Sequence, residues 1–177
     1  MPRKSGAHVG AEVGGNFTEY IVVQDVWWNE RGTQMFGIIV GTHGIFAEEI
    51  VKSCEMICGE QTNVRAVTLV PGEGPDDVVK KYGAAIETLD CADGVIFLND
   101  LFGGSPYNAA CRLAANNGKY GIVTGVNLPM LIEMVSAQLI GGDYDILTLM
   151  AQAAEAGKNG TQLFHASTME EEDDDDL

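Results

Sequence analysis

From Met35 onward, short runs of hydrophobic residues alternate with longer amphipathic segments. The runs are rich in β-branched residues and are bounded by polar residues or glycine, a pattern typical of strands covered on both faces of a sheet. They span Phe36 to Thr42, Val64 to Val70, Gly94 to Asn99 and Gly121 to Gly125. The pattern therefore predicts four strands in this part of the chain.

The segments between and after these strands have the residue spacing of amphipathic helices. Helices are predicted from Ile45 to Cys58, from Pro75, from Ser105 to about Asn116, from Pro129, and from about Tyr144 to Gly157. Such alternation implies right-handed crossovers. The sequence thus predicts an α/β fold with a doubly wound, mostly parallel sheet of order 2-1-3-4 and helices on both faces. A short last strand, Gln162 to Ala166, could pair with this sheet or with that of a second subunit.

The two ends of the chain depart from this pattern. Residues 1–34 form an N-terminal extension of unknown role that is rich in glycine and small residues at its start and is predicted to be mobile. A strand is conceivable there from Thr18 to Trp28, and the position of Met35 favours a native start at that residue. We expect one domain over residues 35–168 and a solvated acidic tail over 169–177.

Composition narrows the class of protein. The 177 residues are 46% hydrophobic and carry a net charge of −16, to which the acidic run near the C-terminus contributes seven negative charges. This acidity argues against nucleic acid or an anionic membrane as a partner and favours a basic protein surface. The four cysteines form no C-x-x-C pair, so the sequence predicts no metal site. We interpret them as reduced thiols, which are typical of a cytoplasmic protein. No signal peptide or membrane-spanning run is present in the sequence.

The first candidate for chemistry is the motif Gly41-Thr42-His43-Gly44, at the carboxyl end of the first predicted strand. Ligands of open α/β sheets collect at this edge, and the flanking glycines leave the imidazole accessible. An isolated histidine in a turn is more often incidental, so His43 needs a partner. The histidines at positions 8 and 165 are expected to be incidental.

The second candidate is the stretch from Asn99 to Pro106, which follows the third strand. With strands one and three adjacent, Asp100 would face His43 across the switch point of the sheet and fix its tautomer. Gly103, Gly104 and Ser105 would offer backbone N–H groups to a phosphoryl group at the start of a helix, with Ser105 as N-cap. The alternative is a plain turn and a plain cap.

These motifs, together with Val70-Pro71-Gly72-Glu73 and the segment from Gly125 to Leu131, resemble the IIA component of the mannose-family sugar phosphotransferase system of bacteria. The resemblance runs from Met35 to about Thr168. It implies a phosphotransferase without a cofactor, in which the phosphocarrier protein HPr phosphorylates His43 at Nε2 and Asp100 orients the ring. The group would pass to a IIB protein, and then to a sugar through IIC and IID.

The resemblance also implies a homodimer in which the last strand is exchanged. Since no IIB domain follows, we expect a stand-alone IIA chain. Phe46 and Phe102 could form an apolar rim for protein partners, whereas core packing is favoured for Met130. Two alternatives stay open: the related phosphotransfer subunit of dihydroxyacetone kinase, and a non-catalytic module that senses an anion or a partner.

Overall fold

Four parallel strands form the centre of the structure, a computed structural model that describes residues 35–142 and 144–166. The strands are β1 (Phe36–His43), β2 (Val64–Leu69), β3 (Gly94–Asn99) and β4 (Tyr120–Thr124). Their order across the sheet is β2-β1-β3-β4, and every neighbouring pair is parallel. This confirms the predicted order and places the carboxyl ends of β1 and β3 side by side.

Five helices accompany the strands in this part of the chain: α1 (Phe46–Cys58), α2 (Pro75–Ile86), α3 (Ser105–Ala114), α4 (Leu128–Ile140) and α5 (Ile146–Asn159). Their first residues are set by local chemistry. The Asn127 side chain accepts the N–H of Met130 at 3.0 Å, so α4 begins one residue before the predicted Pro129. Asp145 caps α5 in the same way through Thr148.

The alternation of side chains along the strands divides the core into two layers. Ile38, Val40 and Leu98 point toward α1, α4 and α5, while Ile39 and Phe97 point toward α2 and α3. All five side chains are fully buried, and each contributes roughly 1.5–3 kcal/mol by leaving water. This two-sided burial explains why the strands read as continuous hydrophobic runs.

One predicted element is missing from the described chain. Residues 161–165 have no regular secondary structure, and Gln162 to Ala166 are all exposed, so the last strand does not form within a single chain. A strand has to pair with a sheet edge, and this segment pairs with neither edge strand of its own sheet, β2 or β4. Exchange between subunits stays a prediction. The predictions for residues 1–34, the strand from Thr18 to Trp28 and the acidic tail lie outside the described residues.

Candidate phosphoryl-transfer site

The turn after β1 presents His43 at the edge of the sheet. Gly44 has a φ of 59°, a left-handed conformation that glycine adopts without steric cost. The buried Thr42 hydroxyl accepts the N–H of Ala47 at 2.7 Å and so satisfies one free donor at the start of α1. This turn therefore holds the backbone on both sides of His43 while 43% of its side chain stays exposed.

Asp100 holds His43 through a single carboxylate oxygen. Its Oδ2 accepts the backbone N–H of His43 and the ring Nδ1–H, each at 2.9 Å, while Oδ1 accepts the N–H of Leu101. An ionised carboxylate only accepts hydrogen bonds, so Nδ1 carries the proton and Nε2 keeps a lone pair. The structure thus brings together the two residues that the sequence predicted to face each other.

The loop from Asp100 to Gly104 closes against the other side of the imidazole. Gly103 has a φ of 76°, and the N–H of Gly104 bonds to the carbonyl oxygen of Leu101 at 3.2 Å. A methyl group on Gly104 would lie 2.7 Å from Cε1 and 3.4 Å from Nε2 of His43. The nucleophilic edge of the ring therefore lies directly against Gly104.

The start of α3 differs from the prediction in one respect. Gly104 occupies the N-cap position and Ser105 is the first helical residue, and no side chain of the described residues caps this helix. The amide of Asn108 instead donates to the carbonyl oxygen of Gly103 at 2.9 Å. Within residues 35–142, the backbone N–H groups of Gly103 and Ser105 have no acceptor. They remain available to an anion at the helix N-terminus.

Two polar residues behind the site went unassigned in the sequence. Asn99 and Tyr82 are fully buried and hydrogen bonded to each other at 2.8 Å. Burial raises the pKa of Tyr82, and the nearby Asp100 carboxylate adds to the effect despite the opposing bond from Asn99, so the phenol stays protonated. The available signal was a polar residue, Asn99, at the end of an otherwise apolar strand.

Exposed apolar side chains follow both His43 and Asp100 in the sequence. Ile45 and Phe46 follow His43 in the chain, Leu101 and Phe102 follow Asp100, and all four are exposed, Phe102 by 74%. Met130, the third residue considered for an apolar rim, is buried in the core, as favoured for it. Exposed apolar side chains in the two loops that carry His43 and Asp100 are suited to contact with a protein partner.

The site lies inside a segment that matches a known family. The family profile described as the IIA component of the fructose system of the phosphotransferase system (PTS) matches residues 37–144, more than half of the chain. The chain belongs to the mannose-family IIA components of the sugar phosphotransferase system. Membership supports a phosphotransfer role in this system.

Individual relatives agree. The chain is 41% identical over 133 residues to the mannose-specific EIIAB component of Escherichia coli K12, covering 75% of this chain and 41% of that protein. It thus spans about two fifths of that relative's length. The fructose-specific EIIA component of Bacillus subtilis is 39% identical over 102 residues, which cover 58% of this chain and 70% of that protein.

A crystal structure of the EIIA component from Streptococcus agalactiae matches the fold. Its TM-score is 0.65 at 26% identity, covering 76% of this chain and 99% of that one. The α/β architecture is therefore that of the family. Across residues 35–142 and 144–166, no helix combines the length and apolar character that crossing a bilayer requires.

Proposed function

We propose that this chain is a phosphoryl carrier in bacterial sugar uptake, which accepts a phosphoryl group from HPr on Nε2 of His43 and passes it to a mannose-family IIB protein. IIC and IID would be indirect partners, as membrane components. The observation that carries the proposal is that Oδ2 of Asp100 accepts two hydrogen bonds from His43, one from the backbone N–H and one from the ring Nδ1–H. It leaves Nε2 as the free nucleophile of a half-exposed ring.

The bonds, electron pairs and protons of the transfer balance without a further reactant. The Nε2 lone pair of His43 forms a bond to phosphorus as the phosphorus–nitrogen bond to the histidine of HPr breaks, and the leaving nitrogen keeps that electron pair. The Nδ1–H proton stays in its bond to Asp100, which stabilises the positive charge that the ring acquires. Positioning and charge stabilisation are the main requirements of such a step. Passage to IIB reverses these bond changes on a new acceptor.

The phosphoryl oxygens would bind at the loop before α3. The N–H of Gly104 already donates to Leu101, so its part is to permit the close approach of the ring. The N–H groups of Gly103 and Ser105, which have no acceptor within residues 35–142, are the donors we assign to the phosphoryl oxygens. The hydroxyl of Ser105, which makes no cap, is a further donor.

Intact-mass analysis tests the function. The full chain is incubated with phosphoenolpyruvate, enzyme I and HPr. We expect one phosphoryl group that acid removes and that His43→Ala abolishes. His165→Ala is the matched control, since His165 is an exposed histidine in the described segment after α5. Absence of the added mass would overturn the carrier function and favour a sensing module.

Onward transfer separates the carrier from the dihydroxyacetone kinase subunit. The phosphorylated chain is mixed with a purified mannose-family IIB protein or with the subunits of dihydroxyacetone kinase. We expect the label to move to IIB alone. Movement to the kinase alone would assign the chain to the other phosphotransfer system.

We also propose that the carrier is a homodimer with an exchanged last strand. The segment Gln162 to Ala166, which belongs to no strand in the single chain, carries Leu163 and Phe164, which are 95% and 79% exposed. Pairing with a second subunit would cover both side chains. Light scattering of the full chain and of a chain ending at Gly160 tests this. A stable dimer of the shortened chain would contradict strand exchange.

A further inference from the structure

A buried hydrogen-bond path runs behind the candidate site and joins β1, β3 and α3 through α2. Nδ2 of Asn99 donates to the carbonyl oxygen of Gly41 and to the hydroxyl oxygen of Tyr82, each at 2.8 Å. The Tyr82 hydroxyl in turn donates to the carbonyl oxygen of Pro106 at 3.2 Å. Two side chains thus connect three separate backbone segments.

Each of these segments leads into one part of the site. The contact on β1 is two residues before His43, the contact on β3 is directly before Asp100, and the contact on α3 is two residues after Gly104. His43 is the proposed nucleophile, Asp100 is its orienting carboxylate, and Gly104 is the residue against which the ring packs. A change in the path therefore changes the relative positions of all three.

The polar chemistry of the path is not explained by packing. Both side chains are fully buried. The carbonyl oxygen of Gly41 can only accept, so the atom facing it must be Nδ2 of Asn99, and Oδ1 is left without a partner in the part of the chain described. A buried acceptor without a partner lowers stability, and such atoms call for a functional explanation.

Close contact at Gly41 makes the path specific. A methyl group on Gly41 would lie 1.8 Å from the Tyr82 hydroxyl oxygen, so the phenol rests against the bare backbone of β1. The ring also packs edge-on against Phe97 at a centroid distance of 5.1 Å. The hydroxyl therefore has little freedom to move away from its partners.

We propose that Tyr82 and Asn99 are positioning residues for phosphoryl transfer, which hold the ends of β1 and β3 and the start of α3 at the separation that places Nε2 of His43 for attack. The proposal rests on the proposed carrier function. It assigns a role in the transfer rate to two residues that touch neither the phosphoryl group nor the partner proteins.

Tyr82→Phe removes only the hydroxyl and is compared with Tyr120→Phe. Tyr120 packs against the same Phe97 ring at 5.8 Å, and its hydroxyl has no hydrogen-bond partner among residues 35–142 and 144–166. We measure kcat and KM for phosphorylated HPr, and the ring ¹⁵N chemical shifts of His43. Tyr82→Phe should lower kcat about tenfold with KM unchanged, because sub-ångström misplacement slows a positioned reaction. It should also shift the His43 signals, whereas Tyr120→Phe should do neither.

The outcomes separate this proposal from the function on which it rests. If the wild type is phosphorylated and Tyr82→Phe matches Tyr120→Phe in kcat and in the His43 spectrum, the positioning role is wrong and the carrier function stands. If the wild type takes up no phosphoryl group, both fail. Rates are normalised to the folded fraction from urea titration. Should Tyr82→Phe not fold, Asn99→Ser interrupts the same path and is judged by the same criteria.

Discussion

Substituting Gly104 by alanine tests how tightly the loop before α3 packs against the imidazole of His43. The backbone of Gly104 has φ and ψ of −69° and 167°, a conformation that alanine adopts without strain. The added methyl group would lie 2.7 Å from Cε1 of His43 and 3.2 Å from the carbonyl oxygen of Leu101. The perturbation is therefore a steric one aimed at the ring.

The size of the displacement follows from these distances. Restoring an ordinary 3.4 Å contact requires the ring or the loop to retreat by about 0.7 Å from the 2.7 Å approach. The bond from Nδ1 to Asp100, 2.9 Å long, opposes movement of the ring. Since misplacement by about 1 Å costs on the order of 100-fold, we expect transfer roughly 10- to 100-fold slower, or about 1.4–2.7 kcal/mol of transition-state stabilisation.

The assay is the rate of phosphorylation by phosphorylated HPr, measured beside the free energy of unfolding. Gly83→Ala is the control, because a methyl group on Gly83 meets nothing within 4 Å and Gly83 lies within α2. That control should gain about 0.5–1 kcal/mol of stability with an unchanged rate. A wild-type rate in Gly104→Ala would refute the close packing of loop and ring.

Three further predictions concern the carboxylates and a thiol. Asp100→Ala should slow phosphorylation by roughly tenfold or more, because the imidazole of His43 is then no longer held in place. The melting temperature should change little, because His43 is half-exposed. A wild-type rate would contradict the orienting role. Cys54 is buried, which together with the neighbouring Cys58 raises its pKa to about 12, so it should be the slowest cysteine to alkylate at pH 8 in native protein and should react normally in urea. The Lys81 ammonium, and then the N–H of Val70, lower the pKa of Glu73 from its ordinary value. Ionised Glu73 therefore stabilises the folded state fully above its ordinary pKa, and this contribution is lost as the pH falls through the lowered pKa of the folded state. The difference in unfolding free energy between wild type and Glu73→Gln should therefore shrink as the pH falls from neutral through this range, and a constant difference would contradict the assignment.

Most of the fold could be predicted from the periodicity of hydrophobic residues. The four strands and their order could be predicted because β1 and β3 are buried on both faces, which produces continuous apolar runs with no competing helical period. Helix starts were predicted less well. The side chain of Asn127 caps α4, so the helix begins at Leu128, whereas Pro129 is the stronger sequence signal for a first helical residue.

The pairing of His43 with Asp100 was predictable for a topological reason. Both follow strands, and the carboxyl ends of adjacent parallel strands meet at one edge. The cap at Ser105 was wrong because Gly104 already occupies the N-cap position. The link between Asn99 and Tyr82 could not be predicted, since it depends on α2 placing a phenol beneath the end of β3, and helix periodicity shows only that Tyr82 faces inward.

The last strand shows another limit of sequence patterns. The run from Gln162 to Ala166 has strand character, but that character does not determine whether the run pairs with an edge strand of a sheet. The single chain leaves this segment without regular structure. Local propensity therefore identified a segment that does not pair within the single chain, and its exchange between subunits stays a proposal.

The most direct test of the central claim is the position of the phosphorus–nitrogen bond in the phosphorylated chain. The protein is labelled with ¹⁵N in its histidine rings, phosphorylated through HPr and examined for coupling between ³¹P and ring ¹⁵N. Since Asp100 holds the Nδ1–H of His43, the account predicts coupling to Nε2 of His43 alone. Coupling to Nδ1, or to another residue, would contradict it.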